Sequence, residues 1–390
     1  MNYILYDGEV RDHLLPLTYT RPIADLRVGI LTIREKWEKM LHTTISTKTE
    51  AYLSEKYPLV QKERNVYINA SFLPSEKLVE ILKSLKENQA VYYGDTPIAY
   101  FFTSGQKMNF DSLEVISYNE ADVIQISQVY DIFALNEQAL ARDFAMLTKN
   151  RTSQPIPNHV FTVNSENIFI EEGATLLNCS LNASDGPIYI GADASVMEGV
   201  HIRGAFALCE HAMVKMGAKI YGATTIGPHS RVGGEVSNSV FIGYSNKGHD
   251  GFLGNSVLGE WCNIGADSNN SNLKNNYASV RLWNYPAGRF VDTQLQFCGL
   301  IMGDHSKCGI NTMFNTGTVV GVSANIYGAG FPRNFIPSYS WGGASGVTTY
   351  KIEKVFEVAE VVMKRRNVAF DQVEKNILTK VFELTDNYRR

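Results

Sequence analysis

One interval dominates the distribution of apolar residues along the chain. From Ile190 onward every sixth position is aliphatic: Ile190, Val196, Ile202, Leu208, Val214, Ile220, Ile226 and Val232. Four positions after each come mostly small residues, Ala194, Ala212, Ala218, Thr224 and Ser230, with Val200, Phe206 and Val236 as exceptions. A period of six matches neither the helical period of about 3.6 nor the strand period of about two. It suits short flat strands joined by corners, wound so that each aliphatic side chain points into a narrow prism with a small residue beside it. This is the hexapeptide pattern of a parallel β-helix, in which neighbours in space lie one turn apart along the chain. The beat returns as Met302, Cys308, Phe314, Val320 and Ile326. Between the blocks it slips after Val236, and Tyr244–Gly254 reads as an excursion from the prism before the period resumes at Leu258 and Ile264.

Before residue 150 the pattern alternates between strand and helix. Tyr3–Tyr6 is a short apolar strand ending in Asp7-Gly8-Glu9. Residues 30–41 form a helix with Ile33, Trp37 and Met40 on one face. Val66–Ile68 is a second strand, turning at Asn69-Ala70-Ser71 into a helix capped by Ser75, with Leu78, Val79, Leu82 and Leu85 inward. Ala90–Tyr93 and Ile98–Phe102 are strands parted by Gly94-Asp95-Thr96-Pro97, and 131–147 reads as a strand end and a helix. Strands alternating with helices predict a mostly parallel, shortened Rossmann-like sheet whose ligand crevice lies at the carboxyl ends of the strands. The organisation that follows is an α/β domain over 1–149, a polar proline-bearing linker over 150–159, a left-handed parallel β-helix over 160–340 and a helical tail over 341–390. In the tail Ile352, Val355, Phe356, Ala359, Val362 and Met363 make one apolar stripe.

Composition narrows the classes of partner. The net charge of -4 argues against a nucleic acid or an acidic membrane. The five cysteines, Cys179, Cys209, Cys262, Cys298 and Cys308, show no C-x-x-C pair, which suits a reducing compartment and neither a disulfide framework nor a zinc site. With no export-like start and no run of membrane-spanning length, a cytoplasmic protein is expected. His201, His211, His229 and His305 fall on the regular solenoid surface, one per coil, and give no metal site by spacing alone. The asparagines from Asn263 to Asn276 read as a ladder of turns at solenoid corners.

Two stretches carry a resemblance. Arg11-Asp-His-Leu-Leu-Pro-Leu-Thr-Tyr-Thr-Arg-Pro-Ile-Ala-Asp-Leu-Arg27 resembles the signature loop of sugar-1-phosphate nucleotidyltransferases, in which backbone N–H groups and cations surround a triphosphate. Of that pattern the sequence keeps Gly8, Arg11, Pro16-Leu17-Thr18 and Arg21-Pro22. Ile23 stands where a lysine is expected, with Arg27 as the substitute charge. Asp95 matches the family's magnesium-binding aspartate in letters, while Asn69-Ala70-Ser71 matches it in topology. The second stretch, Lys247-Gly-His249 followed by Leu258-Gly-Glu-Trp-Cys-Asn-Ile-Gly-Ala266, is similar to the acetyltransferase half of the bifunctional N-acetylglucosamine-1-phosphate uridylyltransferase/glucosamine-1-phosphate acetyltransferase family. The two domains also come in that family's order.

That resemblance implies acetyl transfer from acetyl-CoA, as co-substrate, to an aminosugar phosphate or a nucleotide-linked sugar. The acceptor amine must lose a proton, a task for a base titrating near neutrality, and histidine is the natural supplier. His249 falls at the family's base position. Lys219, Lys247, Phe252 and Asn263 match sugar- and phosphate-binding positions, and Ala266 and Thr316 match the coenzyme wall. Phe252 replaces a tyrosine, Lys219 an arginine and Ser237 a lysine. The family further implies a homotrimer with active sites between subunits, and Mg2+ in an active N-terminal domain. Two alternatives stay open: a fully bifunctional enzyme that also makes a nucleotide sugar, and a non-catalytic solenoid scaffold.

Overall fold

The computed structural model describes residues 1–103 and 113–389. Six strands form the N-terminal sheet: β1 (Asn2–Tyr6), β2 (Ser46–Lys48), β3 (Arg64–Asn69), β4 (Gln89–Tyr93), β5 (Thr96–Thr103) and β6 (Glu114–Ser117), in the order β2-β1-β3-β5-β4-β6. Helices α1 (Ile33–Leu41), α2 (Glu76–Ser84), α3 (Asp131–Ala134) and α4 (Asn136–Thr148) accompany it. Thr32 and Glu35 close a capping box on α1, and the Ser75 hydroxyl accepts from the Leu78 N–H on α2.

The sheet is mixed rather than mostly parallel. β5 runs antiparallel to both β3 and β4, because Gly94 (φ 56°) and Asp95 close a tight hairpin between β4 and β5. A parallel return would need a crossover of about a dozen residues, and none intervenes. The segment read as a strand end near Asp131 is the short helix α3.

Residues 161–349 wind into a β-solenoid with three faces, made of sheets of six, nine and ten strands that are parallel except for the last pair. The six-residue beat is its cross-section. Ile190 pairs with Leu208 and Leu208 with Ile226 on one face, Val196 with Val214 on the next, and Ile202 with Ile220 on the third. Each is buried, so each of these coils adds one aliphatic residue per face to a continuous core. In the second block Met302 stacks on Val320 and Cys308 on Ile326.

The excursion lies elsewhere than the sequence suggests. Residues 240–254 stay on the prism as a shortened coil, with Ile226 opposite Phe241 and Val232 opposite Lys247. The chain instead leaves the prism between Asn269–Asn270 and Leu300–Met302, where Arg281–Asn284 and Arg289–Asp292 form an antiparallel hairpin. Of the asparagines there, Asn275 and Asn276 form a turn, whereas Asn263, Asn269 and Asn270 lie on strands: Asn270 sits inside, its amide donating to the Gly254 carbonyl while its oxygen accepts from the Gly254 N–H.

The parts share one core. Buried side chains of the α/β module (Leu5, Ile23, Trp37), of one solenoid flank (Ile242, Trp261, Tyr339) and of the tail helices α5 (Ile352–Lys364) and α6 (Gln372–Leu384) form a single apolar cluster. Hydrogen bonds cross the same junction. Asn136 on α4 donates to the Ala223 carbonyl at 2.9 Å, and the Tyr339 hydroxyl donates to the Leu378 carbonyl at 2.6 Å. Trp283 of the hairpin stacks on Phe335 at 4.1 Å, while Tyr285 meets Tyr19 edge-on. Among the described residues no helix is long and apolar enough to cross a membrane.

Candidate functional site

His249 occupies the corner between the strands Asn246–Lys247 and Phe252–Gly254. The same corner on the next coil carries Ala266: the Asp267 N–H donates to the Asp250 carbonyl at 3.0 Å, and the Asn311 N–H to the Ala266 carbonyl at 2.8 Å. The solenoid therefore stacks the expected base directly beside the expected coenzyme-wall residue. The His249 ring is exposed and makes no hydrogen bond among the described residues.

Lys247 does not take its expected place. It occupies the inward position that Val214 and Val232 hold on the preceding coils, and only 1% of its surface is exposed. Its ammonium donates to the Gly233 carbonyl and to the His249 carbonyl, each at 2.8 Å. Burial lowers its pKa to about 8. Lys247 thus cannot reach a sugar phosphate; it ties the backbone of the His249 corner to the coil beneath. A long alkyl stem fills the aliphatic slot while the charged head satisfies two carbonyls, and this is how the prism accepts a lysine.

Lys219, Glu235 and Phe252 follow one another in register on the face that begins past the His249 corner. The Lys219 ammonium lies 3.5 Å from the Glu235 carboxylate. The Phe252 N–H donates to Asn269 at 2.7 Å, and further along the Ser271 and Thr316 hydroxyls bond at 2.7 Å. His249, Ala266 and Phe252 thereby share one corner and the face it opens onto, while Lys219 lies two coils before Phe252 on that face and Thr316 two coils after it. Asn263 is set apart, exposed on the preceding face between Asn246 and Lys307.

The arginines of the N-terminal signature loop are corrected by the structure, because protein acceptors occupy their guanidinium groups. Arg11 reaches Asp7, the Thr18 carbonyl and the Tyr52 hydroxyl. Arg21, 3% exposed, donates to Asp304 at 3.1 and 2.5 Å and to Glu260 at 3.1 Å, both on the solenoid. Arg27 donates to the Ile242 and Ile30 carbonyls. Two of the three cations expected around a triphosphate are clamps between the modules, and the third folds its own loop. Gly8 does meet a physical need: a β-carbon there would lie 2.8 Å from the Asn69 amide. Asn69 ties the β3 turn to the Ser71 N–H and to the Pro97 carbonyl near the hairpin that carries the exposed Asp95.

The magnesium expected in this crevice does not fit the residues present. Asp7, at the end of β1, has its oxygens engaged by Arg11, Thr49 and the Ile23 N–H, and burial raises its pKa. Asn69 brings no carboxylate to the turn best placed for one. Among the described residues no three His, Cys, Asp or Glu side chains converge on a metal-sized site.

Sequence reading also passed over a column of rings on the solenoid and a cavity beside it, although the rings recur at coil length: His211, His229, Tyr244 and Trp261.

An α/β module docked on a parallel β-solenoid is the class that the fold defines. Residues 3–152 match a family model described as sugar nucleotidyl transferase. The chain is also similar to the UDP-N-acetylglucosamine acyltransferase of Arabidopsis, at 15% identity over 60% of this chain and 82% of that one, with a TM-score of 0.23. The corresponding Francisella novicida acyltransferase is 13% identical over 57% of this chain and 87% of that one, with a TM-score of 0.25. No curated protein matches the sequence.

Proposed function

We propose that the chain is a transferase whose solenoid moves an acetyl group from acetyl-CoA to the amine of an aminosugar phosphate or nucleotide-linked sugar. The N-terminal module then serves as a sugar-nucleotide-type binding element. The observation that carries this reading is the free, exposed imidazole of His249 on a corner that the buried Lys247 ammonium holds rigid. His249 takes a proton from the acceptor ammonium; the amine nitrogen attacks the thioester carbon, the C–S bond breaks and the coenzyme leaves as thiolate. The Ala266 corner, stacked beside it, forms the wall along which the acyl donor lies.

Lys219 enters this reading paired with Glu235, so the substrate phosphate must either displace that carboxylate or draw a cation from a neighbouring chain. The second possibility is what a homotrimer would supply. Thiol release from acetyl-CoA in the presence of glucosamine-1-phosphate tests the reading. Wild type should turn over and His249→Ala should fall ~100-fold or more, the usual size of a general-base contribution. Equal rates remove His249 from the chemistry, and silence with both proteins favours the scaffold. The bifunctional alternative has the family match over 3–152 in its favour. Pyrophosphate release from UTP and N-acetylglucosamine-1-phosphate, with and without magnesium, tests it, and the committed arginines lead us to expect none.

A further inference from the structure

Each coil of the solenoid enters its ten-stranded face through a residue of left-handed backbone, and on five consecutive coils that residue carries a ring: His211, His229, Tyr244, Trp261 and His305, with φ between 53° and 61°. The shared backbone conformation orients the rings alike, and they stack with centroids 4.8, 4.8, 4.3 and 6.3 Å apart. The end of α5 approaches the strands just past this column. Between them lies a cavity of about 390 Å³, within the size range of small-molecule sites.

Four cations line it: Arg231 and Lys307 from the solenoid, Arg365 and Arg366 from the end of α5. Among the described residues none of the four forms an ion pair with a carboxylate, whereas Glu260 on the coil of Trp261 is taken by Arg21. The Lys307 ammonium donates to the His305 carbonyl, and burial lowers its pKa to about 8. Burial and the nearby charges of Arg231 and Arg365 lower that of Arg366. Like charges gathered and partly desolvated without a paired carboxylate cost free energy that an anion would recover. Asn246 lines the same cavity, and its side-chain oxygen is buried with no donor. A buried acceptor left empty is as costly as an unmet donor, and a ligand hydroxyl would satisfy it. Tyr244 and Trp261 have a flat face committed to each other, so the wall does not offer a free platform for a nucleobase.

We infer that this cavity, whose lining includes Asn263, is a second ligand site on the face that precedes the His249 corner, and that it takes a phosphorylated sugar. The phosphate sits among Arg231, Arg365, Arg366 and Lys307, a sugar hydroxyl donates to the Asn246 oxygen, and the sugar ring lies along the edges of the stacked rings.

Titration calorimetry on the full chain with glucose-1-phosphate, inorganic pyrophosphate and glucose tests the assignment. Glucose-1-phosphate and pyrophosphate should bind and glucose should not. R365Q/R366Q, at an exposed helix end, should weaken both anions at least tenfold, whereas K380Q, at an exposed lysine of α6 paired with Glu383, should leave them unchanged. N246A should weaken glucose-1-phosphate severalfold and spare pyrophosphate. Absence of heat with every probe overturns the site, as does undiminished binding by R365Q/R366Q. Equal binding of glucose overturns the phosphate assignment, and an N246A variant that binds both anions like wild type overturns the sugar assignment. Thiol release stays a separate readout, since neither R365Q/R366Q nor N246A touches the His249 corner.

Discussion

Replacing Arg21 by methionine removes a charge from the junction between modules while keeping most of the side chain's apolar bulk. The guanidinium of Arg21 makes three hydrogen bonds to the carboxylates of Asp304 and Glu260, and its own side chain and that of Asp304 are each only 4% exposed. Removing one partner of a buried ion pair leaves the other charge without compensation, at a cost of about 3–5 kcal/mol. Asp304 would retain the Thr20 hydroxyl at 2.7 Å and the Glu260 N–H at 2.9 Å, which places the expected loss near the lower end, about 3 kcal/mol. Urea unfolding of Arg21→Met, followed by tryptophan fluorescence and by circular dichroism, reads that loss. Hydrogen exchange should show the first opening over residues 17–30 and 257–262. In the double variant Arg21→Met/Asp304→Asn no buried carboxylate is stranded, so its loss should be smaller than the sum of the two single losses. A single-variant loss below about 1 kcal/mol, or strict additivity in the double, would refute the view that this pair is a desolvated clamp.

Three further outcomes are expected. Lys247 is disfavoured in its charged form inside the prism, so the fold carries a penalty below pH about 8 that is relieved as pH rises from about 8 toward the ordinary lysine value of 10.5. Wild type should gain on Lys247→Met by up to ~3 kcal/mol across that window in paired denaturation curves, and a gap that is flat with pH argues against it. Gly227→Ala would set a β-carbon 2.2 Å from the Ile242 carbonyl oxygen and 2.4 Å from that of Phe241, both backbone, and should cost ~2–3 kcal/mol by thermal unfolding. Gly217→Ala, with a φ of 69° and open space around it, should cost only about 1 kcal/mol; equal losses at the two sites would contradict the packing argument.

What could be read from the sequence was whatever repeats or is local. The aliphatic beat places Ile190, Leu208 and Ile226 on one ladder because a solenoid turns sequence spacing directly into contact. The Ser75 cap needs only its own helix. The His249 corner follows from the resemblance together with that same register. Long-range partners were illegible. An arginine in a phosphate-loop pattern looks alike whether it meets a triphosphate or, as Arg21 does, an aspartate 283 residues away. Lys247 was misplaced because a shortened coil and a looped-out one break the beat in the same manner, and only pairing with Val232 separates them. The ring column was readable in principle from its coil-length spacing. The cations beside it come from segments far apart in the chain.

The clamped junction also sets how this chain can change length. An open repeat array gains or loses a unit with little consequence, since each unit touches only its neighbours. Here the α/β module and tail grip the flank at fixed heights, from Ala223 through Ile242 and Asp304 to Tyr339. Deleting one coil between those heights would slide every anchor above it by about 4.8 Å, more than a hydrogen bond can stretch. The prism therefore works as a ruler for the body docked along it, and its number of turns is held by the fit of its passenger.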